Sequence, residues 1–208
     1  MTDETLTPER ILEAAEEVLR RFGLAKTTVV DVARALGVSH GSIYRHFPSK
    51  AALQDAIAEQ WLARKSLPLT TITNEEGPAT ERLRRWLKLL CATTQKNVLA
   101  DPELFATYKE LASEARDVVR AHVDHLIAQL NHILSDGVTQ GEFTTADPVL
   151  SAQAVFTAMT RFHDPTHAAE WSDADIDTAF DGVWSLILVG LCPRNIRQDD
   201  SCTTNNPV

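Results

Sequence analysis

TTVVDVARALGVSHGSIYRHFPSK, residues 27–50, is a pair of short helices written around one glycine. Gly37 stands between Leu36 and Val38, where a short apolar-periodic run stops. Lacking a Cβ, a glycine there takes the left-handed conformation that ends a helix without steric cost. Thr28 is placed to cap a first helix over 29–36, with Asp31 in its first turn where the helix dipole favours an anion. Ser39 is placed to cap a second helix that runs to about Phe47. Val32, Ala33, Leu36, Val38 and Ile43 supply the apolar contacts, and Ala33 is small enough for the helices to approach closely. The pattern predicts a helix-turn-helix over 28–47.

With Ile43 pointing inward and roughly 100° per residue, Gly41 and Arg45 face away from the core. Ser42 and Tyr44 flank them, with His40 and His46 at the margins. All of these except Gly41 can hydrogen bond. A glycine inside a helix costs about 1 kcal/mol relative to alanine, and close approach of the backbone to a DNA groove is one physical reason to keep it. Charge points the same way. Residues 20–50 carry six bases and one acid, net +5, in a chain of net charge −9. Residues 1–19 are net −5 and 51–208 net −9, so positive charge is concentrated where a phosphate backbone would lie. Lys50 follows Ser49, a plausible N-cap, and therefore sits at the positive end of a helix dipole. A cation is disfavoured there unless a phosphate binds beside it.

This segment resembles the DNA-binding domain of the tetracycline-repressor (TetR) family of bacterial transcription regulators. The matching features are a first helix over 11–22, then TTVVDVARALGVS, then GSIYRHFPSK, with Tyr44, His46, Phe47 and Lys50 at the family's spacing. The likeness covers about residues 8–62 and is much weaker beyond. It implies a three-helix reader on an otherwise helical dimer that a small ligand releases from DNA. By the resemblance, Thr28, Tyr44, His46 and Lys50 are expected at phosphates, and His40, Gly41 and Ser42 nearest base edges. Thr27, Ser39 and Arg45 complete the expected DNA-binding set, Arg45 standing at a position whose role varies in the family.

A chain of 208 residues with 44% hydrophobic and 24% charged residues has material for a sizeable core. A local basic patch on an acidic body suits a specific DNA binder better than a general coat protein. Cys91, Cys192 and Cys202 show neither metal spacing nor C-x-x-C, which fits a reducing cytoplasm. The acidic N-terminus MTDETLTPER does not read as a signal peptide, and the longest apolar run, 186–191, is far too short to span a bilayer.

Thr7 and Pro8 open a first helix whose stripe is Ile11, Ala14, Ala15, Val18, Leu19 and Phe22. Ser49 opens a helix to about residue 64, with Leu53, Ile57 and Trp61 on its buried side and Trp61 placed to relay a change between domains. Residues 66–78, SLPLTTITNEEGP, read as a linker. Helices are then expected over 79–98, from Pro102, over 114–135 with Gly137 and Gly141 closing it, over 149–162 and over 173–191. The expected organisation is a reader over 5–65, a helical effector-binding and dimerisation domain over 66–192, and a mobile tail over 193–208.

The last helix is apolar nearly all round, and the one before it carries Ala152, Ala154 and Ala158 beside larger apolar residues. These two helices are the expected homodimer interface, four helices across a two-fold axis. Two readers about 34 Å apart would then match a palindromic double-stranded operator. Trp86, Tyr108 and Phe156 are the candidate walls of an effector pocket. His122, His125 and His132 share one arc of a helix, but His122 and His132 are about 15 Å apart along it, beyond the reach of one ion. These histidines are expected at solvent or a pocket edge, with no metal and no cofactor. No G-x-S-x-G, G-x-x-x-x-G-K-[ST] or H-E-x-x-H motif supports catalysis. The sequence therefore predicts an all-α, cytoplasmic, dimeric repressor gated by an unidentified small molecule. An activator or ungated regulator of the same fold is the alternative, and a helical enzyme or protein-binding module the remote one.

Overall fold

Thr7 caps α1, Pro8–Phe22, by accepting a hydrogen bond from the Arg10 backbone at 3.4 Å. Residues 6–192 are described by the computed structural model, and none of them lies in a strand. The expected tail over 193–208, with Cys202, lies outside the described residues. A short 3-10 turn, Leu24–Lys26, leads into α2, Val29–Leu36. Gly37 then takes the left-handed conformation at φ 67°, and Ser39 caps α3, His40–Tyr44, through the Ser42 backbone at 3.2 Å. The second helix of the pair is thus shorter than the expected run to Phe47. Arg45 is its C-cap, the backbone N–H groups of His46 and Phe47 both donate to the Ile43 carbonyl, and Pro48 biases Phe47 away from helix.

The largest departure is α4, Lys50–Asn74, which runs straight through most of the expected linker. Pro68 lies on its exposed side, while Ser66, Leu69, Ile72 and Thr73 are buried where α4 packs on α7. Thr70 and Thr73 return their hydroxyls to the Ser66 and Leu69 carbonyls at 3.3 and 3.0 Å. Burial along one face outweighs the local breakers, since most helix stability in proteins comes from packing. Reader and body are therefore joined by one rod, roughly 37 Å long at 1.5 Å per residue.

Then follow α5, Ala79–Ala100; α6, Pro102–Glu114; and α7, Arg116–Gln140. Gly137 does not close α7 as expected. It lies inside the helix, and a Cβ there would sit 2.1 Å from the Phe143 ring and 2.9 Å from Ala79. Only Gly141, at φ 75°, is the cap. The expected helix over 149–162 is two: α8, Pro148–Ala158, and α9, Thr160–His163, broken at buried Met159. The freed carbonyls are used, Arg161 O by Trp171 Nε1 at 2.8 Å and Phe162 O by Gln95 Nε2 at 3.1 Å. The last helix, α10, is Ile176–Leu191.

Two apolar cores result. Ile11, Leu19, Val32, Ile43, Leu53 and Ile57 centre the first, and α6 adds Tyr108 and Leu111 to it. Leu69, Leu83, Trp86, Leu130, Phe162 and Trp184 belong to the second. Phe22 is a correction to the α1 stripe: it is 56% exposed, under the Arg21 guanidinium. No helix among the described residues is long and apolar enough to cross a membrane.

Candidate nucleic-acid interface and ligand cleft

The reader face is built by two caps and a buried anchor. Thr28 accepts from the Asp31 backbone at 3.2 Å and donates to its carboxylate at 2.5 Å, and Asp31 also holds Arg34 at 3.0 Å. This reciprocal cap fixes the start of α2. Ile43 is fully buried, which turns His40, Gly41 and Tyr44 outward from α3. Tyr44 is 45% exposed, and His40 meets it edge to face at 6.4 Å. Ser39, Arg45, His46 and Lys50 are also exposed, and Ser42 is half-buried. Lys50 is the first residue of α4 behind the Ser49 cap. Among the described residues no carboxylate pairs with Arg45, the C-cap of α3, or with Lys50 at the N-terminus of α4. A Cβ on Gly41 would meet nothing nearer than Ser39 Oγ at 3.8 Å. Its own chain gives no packing reason for a glycine there.

Thr27 is a correction to the expected DNA-binding set. It is fully buried and donates its hydroxyl to the Gly23 carbonyl at 3.0 Å, closing the turn after α1. The other expected residues are exposed or half-buried.

The expected pocket residues do not come together. Trp86 is fully buried and donates Nε1 to Gln129 at 2.9 Å. Tyr108 belongs to the reader's core and stacks on Trp61 at 4.6 Å, while Phe156 lies against His163. None of the three lines the cleft of about 420 Å³ formed between residues of α4 and α7. Its α4 wall is Glu59, Leu62, Ala63 and Ser66, and its α7 wall is Asp117, Val118, Ala121, His122 and His125. This volume falls within the range of small-molecule sites. A hollow of about 520 Å³ on α1 and α2 touches only the reader. The cleft was hidden from sequence reasoning because its walls lie far apart in the chain; the i, i+3 pair of histidines was its only visible trace.

Burial, aided by the Lys65 charge, pushes His122 down to about 4, so its ring is uncharged at neutral pH. Gln129 fixes the neighbouring histidine. Its Oε1 accepts from Trp86 Nε1 and lies 3.2 Å from the Thr73 hydroxyl, which shares its one proton with the Leu69 carbonyl, so its amide nitrogen must face Thr70 and His125 Nε2, at 3.0 and 2.9 Å. Trp86 can only donate, which settles the amide's direction and makes His125 Nε2 the accepting nitrogen.

Between them, α8 and α10 leave an apolar groove of about 540 Å³ that includes Ala154, Ala158, Leu186 and Gly190. Leu186 is 74% and Val189 71% exposed, and a Cβ on Gly182 or Gly190 would touch nothing.

Two family profiles match. Residues 11–57 match the bacterial regulatory proteins of the tetR family, and 79–184 the tetracyclin repressor-like C-terminal domain. The nucleoid occlusion factor SlmA of Vibrio atlanticus is 29% identical over 153 residues, 70% of this chain and 76% of that protein. SmeT, the repressor of the Stenotrophomonas maltophilia multidrug efflux pump SmeDEF, has a similar fold at a TM-score of 0.60 and 19% identity, over 98% of each chain. The regulator FadR of Bacillus subtilis, solved with stearoyl-CoA, superposes at 0.57 and 20% identity, over 88% of this chain and 99% of that one.

Proposed function

The chain belongs to the tetracycline-repressor family of DNA-binding transcription regulators, and from that premise we propose that it is a dimeric repressor released from a palindromic operator by a small molecule in the α4–α7 cleft. The reading rests on one observation above the rest. A single unbroken helix, α4, begins with Lys50 at the reader face and carries Glu59 to Ser66 along the cleft. A ligand that spreads α4 from α7 must move the reader with it. Gating then needs only a difference in ligand affinity between the two reader spacings.

In this mechanism Tyr44, His46, Lys50 and the start of α2 at Thr28 hold phosphates and set the register. His40, Gly41 and Ser42 approach base edges, with Gly41 allowing the α3 backbone close to the groove floor. Dimerisation uses α8 and α10. Their exposed apolar residues, and glycines that nothing in the chain requires, suit helices of a second copy packing across a two-fold axis. The operator is expected in the cytoplasm, where the chain's free cysteines Cys91 and Cys192 also suit a reducing setting. SmeT and FadR support the repressor and ligand parts of the reading by what they are and bind, on a shared fold.

The test is a reporter driven by the DNA upstream of the protein's own gene. Expression should rise when the protein is deleted and fall when it is restored. Expression that falls on deletion would mean an activator, and expression indifferent to the protein would remove the regulatory reading at that site.

A further inference from the structure

We infer that the α4–α7 cleft selects an amine: a ligand with one protonated nitrogen held at Glu59 and His122 and an apolar body along Leu62 and Val118. The inference rests on the proposed effector site and adds its chemistry. No lysine or arginine lines the cleft. Lys65, whose charge is felt at His122, has its ammonium laid on the Trp61 face 3.4 Å from the ring centroid, outside the lining. The acids differ in their freedom. Asp117 is taken by Arg120 at 2.6 Å, whereas Glu59 has no hydrogen-bond or ion-pair partner among the described residues. His122 is half-buried, makes no hydrogen bond among them, and its uncharged ring offers an accepting nitrogen. The Ser66 hydroxyl donates back to the Ala63 carbonyl at 3.1 Å, which leaves its oxygen as another acceptor. The cleft therefore holds a free negative charge, acceptors awaiting a donor and apolar walls. A carboxylate entering it would lose water and find no cation in the lining, since Arg120 is held on Asp117 and Lys65 on Trp61, while an ammonium would find a partner for its charge at Glu59 and for its N–H groups.

Three probes of one shape isolate the head group: 4-phenylbutylamine, 4-phenylbutanol and 4-phenylbutyrate, titrated calorimetrically into the full chain. The amine should bind about tenfold or more tighter than the alcohol, as one charged, partly desolvated contact allows, and the acid weakest. Glu59→Gln, at an exposed helix position, should erase the amine's advantage and leave alcohol binding unchanged. Ala121→Trp, which fills the cleft, should abolish all three. Binding of the acid as tight as the amine, an advantage that survives Glu59→Gln, or no amine binding would each overturn the inference. Loss of all three in Ala121→Trp without any head-group preference would retain the cleft and remove only its chemistry. Binding that ignores Ala121→Trp would remove the cleft itself.

Discussion

Gly41 is the residue at which stability and function are expected to part. Its Cβ direction is open within the chain, so Gly41→Ala should stabilise the fold by roughly 0.5 to 1 kcal/mol, the ordinary gain of alanine over glycine in a helix. The same methyl should weaken operator binding by keeping the backbone from the groove. Thermal melts and anisotropy titrations on one preparation would check both; lower stability with intact affinity would mean that the glycine serves the fold. His122 gives a second residue-scale expectation. Its folded pKa of about 4 lies below the ordinary histidine value, so the unfolded chain takes up this proton first as pH falls. Its contribution is full above about pH 6.5 and is lost progressively down to about 4. His122→Leu should therefore resist acid better than the parent over that window, although His163, also lowered by burial, keeps its share in both proteins. Parallel urea midpoints at pH 7 and 4.5 for the two proteins would contradict this. Among single residues, sequence separates caps from contacts poorly. Thr27 and Thr28 are alike in type and adjacent, yet one closes a turn in the core and the other caps α2 at the surface.

At the scale of elements, the reader was legible because its signals are local: Gly37, the Thr28 and Ser39 caps and the apolar spacing all act within a few residues. The continuity of α4 was not, because Pro68 and the threonines argue locally for a linker while the partner that holds them in helix, α7, is some sixty residues away. Gly137 misled for the same reason. A glycine that ends a helix and one that admits a ring look identical until Phe143 is placed against it. Gly137→Ala should cost about 1 to 3 kcal/mol, as overpacking of a closed core does, and lower the melting temperature by several degrees. An unchanged melting temperature would show that Phe143 has another rotamer to take. The proposed effector cleft is of the same kind, since neither α4 nor α7 carries a pocket signature alone. The aromatic candidates Trp86, Tyr108 and Phe156 share only their residue type, and each is spent on packing or hydrogen bonding elsewhere.

For the whole molecule, two couplings turn a reader into a switch. The first is internal: α4 crosses from one core to the other, and α6 packs Tyr108 and Leu111 into the reader's core while Tyr108 stacks on Trp61. The second, in the proposed dimer, is between copies, across α8 and α10. Leu186→Glu with Val189→Glu places charge on the most exposed apolar residues of α10 and should leave the fold intact while yielding monomers in sedimentation velocity. A dimer that survives both changes would put the interface elsewhere. The monomer should also bind operator far more weakly, because one reader spans only half a palindrome. The most direct test of the account is a DNase footprint on the DNA upstream of the protein's own gene, with the parent protein and with Tyr44→Ala plus Lys50→Ala. The account predicts a two-fold symmetric protected site with half-site centres about 34 Å apart, lost in the double variant at unchanged thermal stability. A footprint that the double variant reproduces at the same concentration would contradict it.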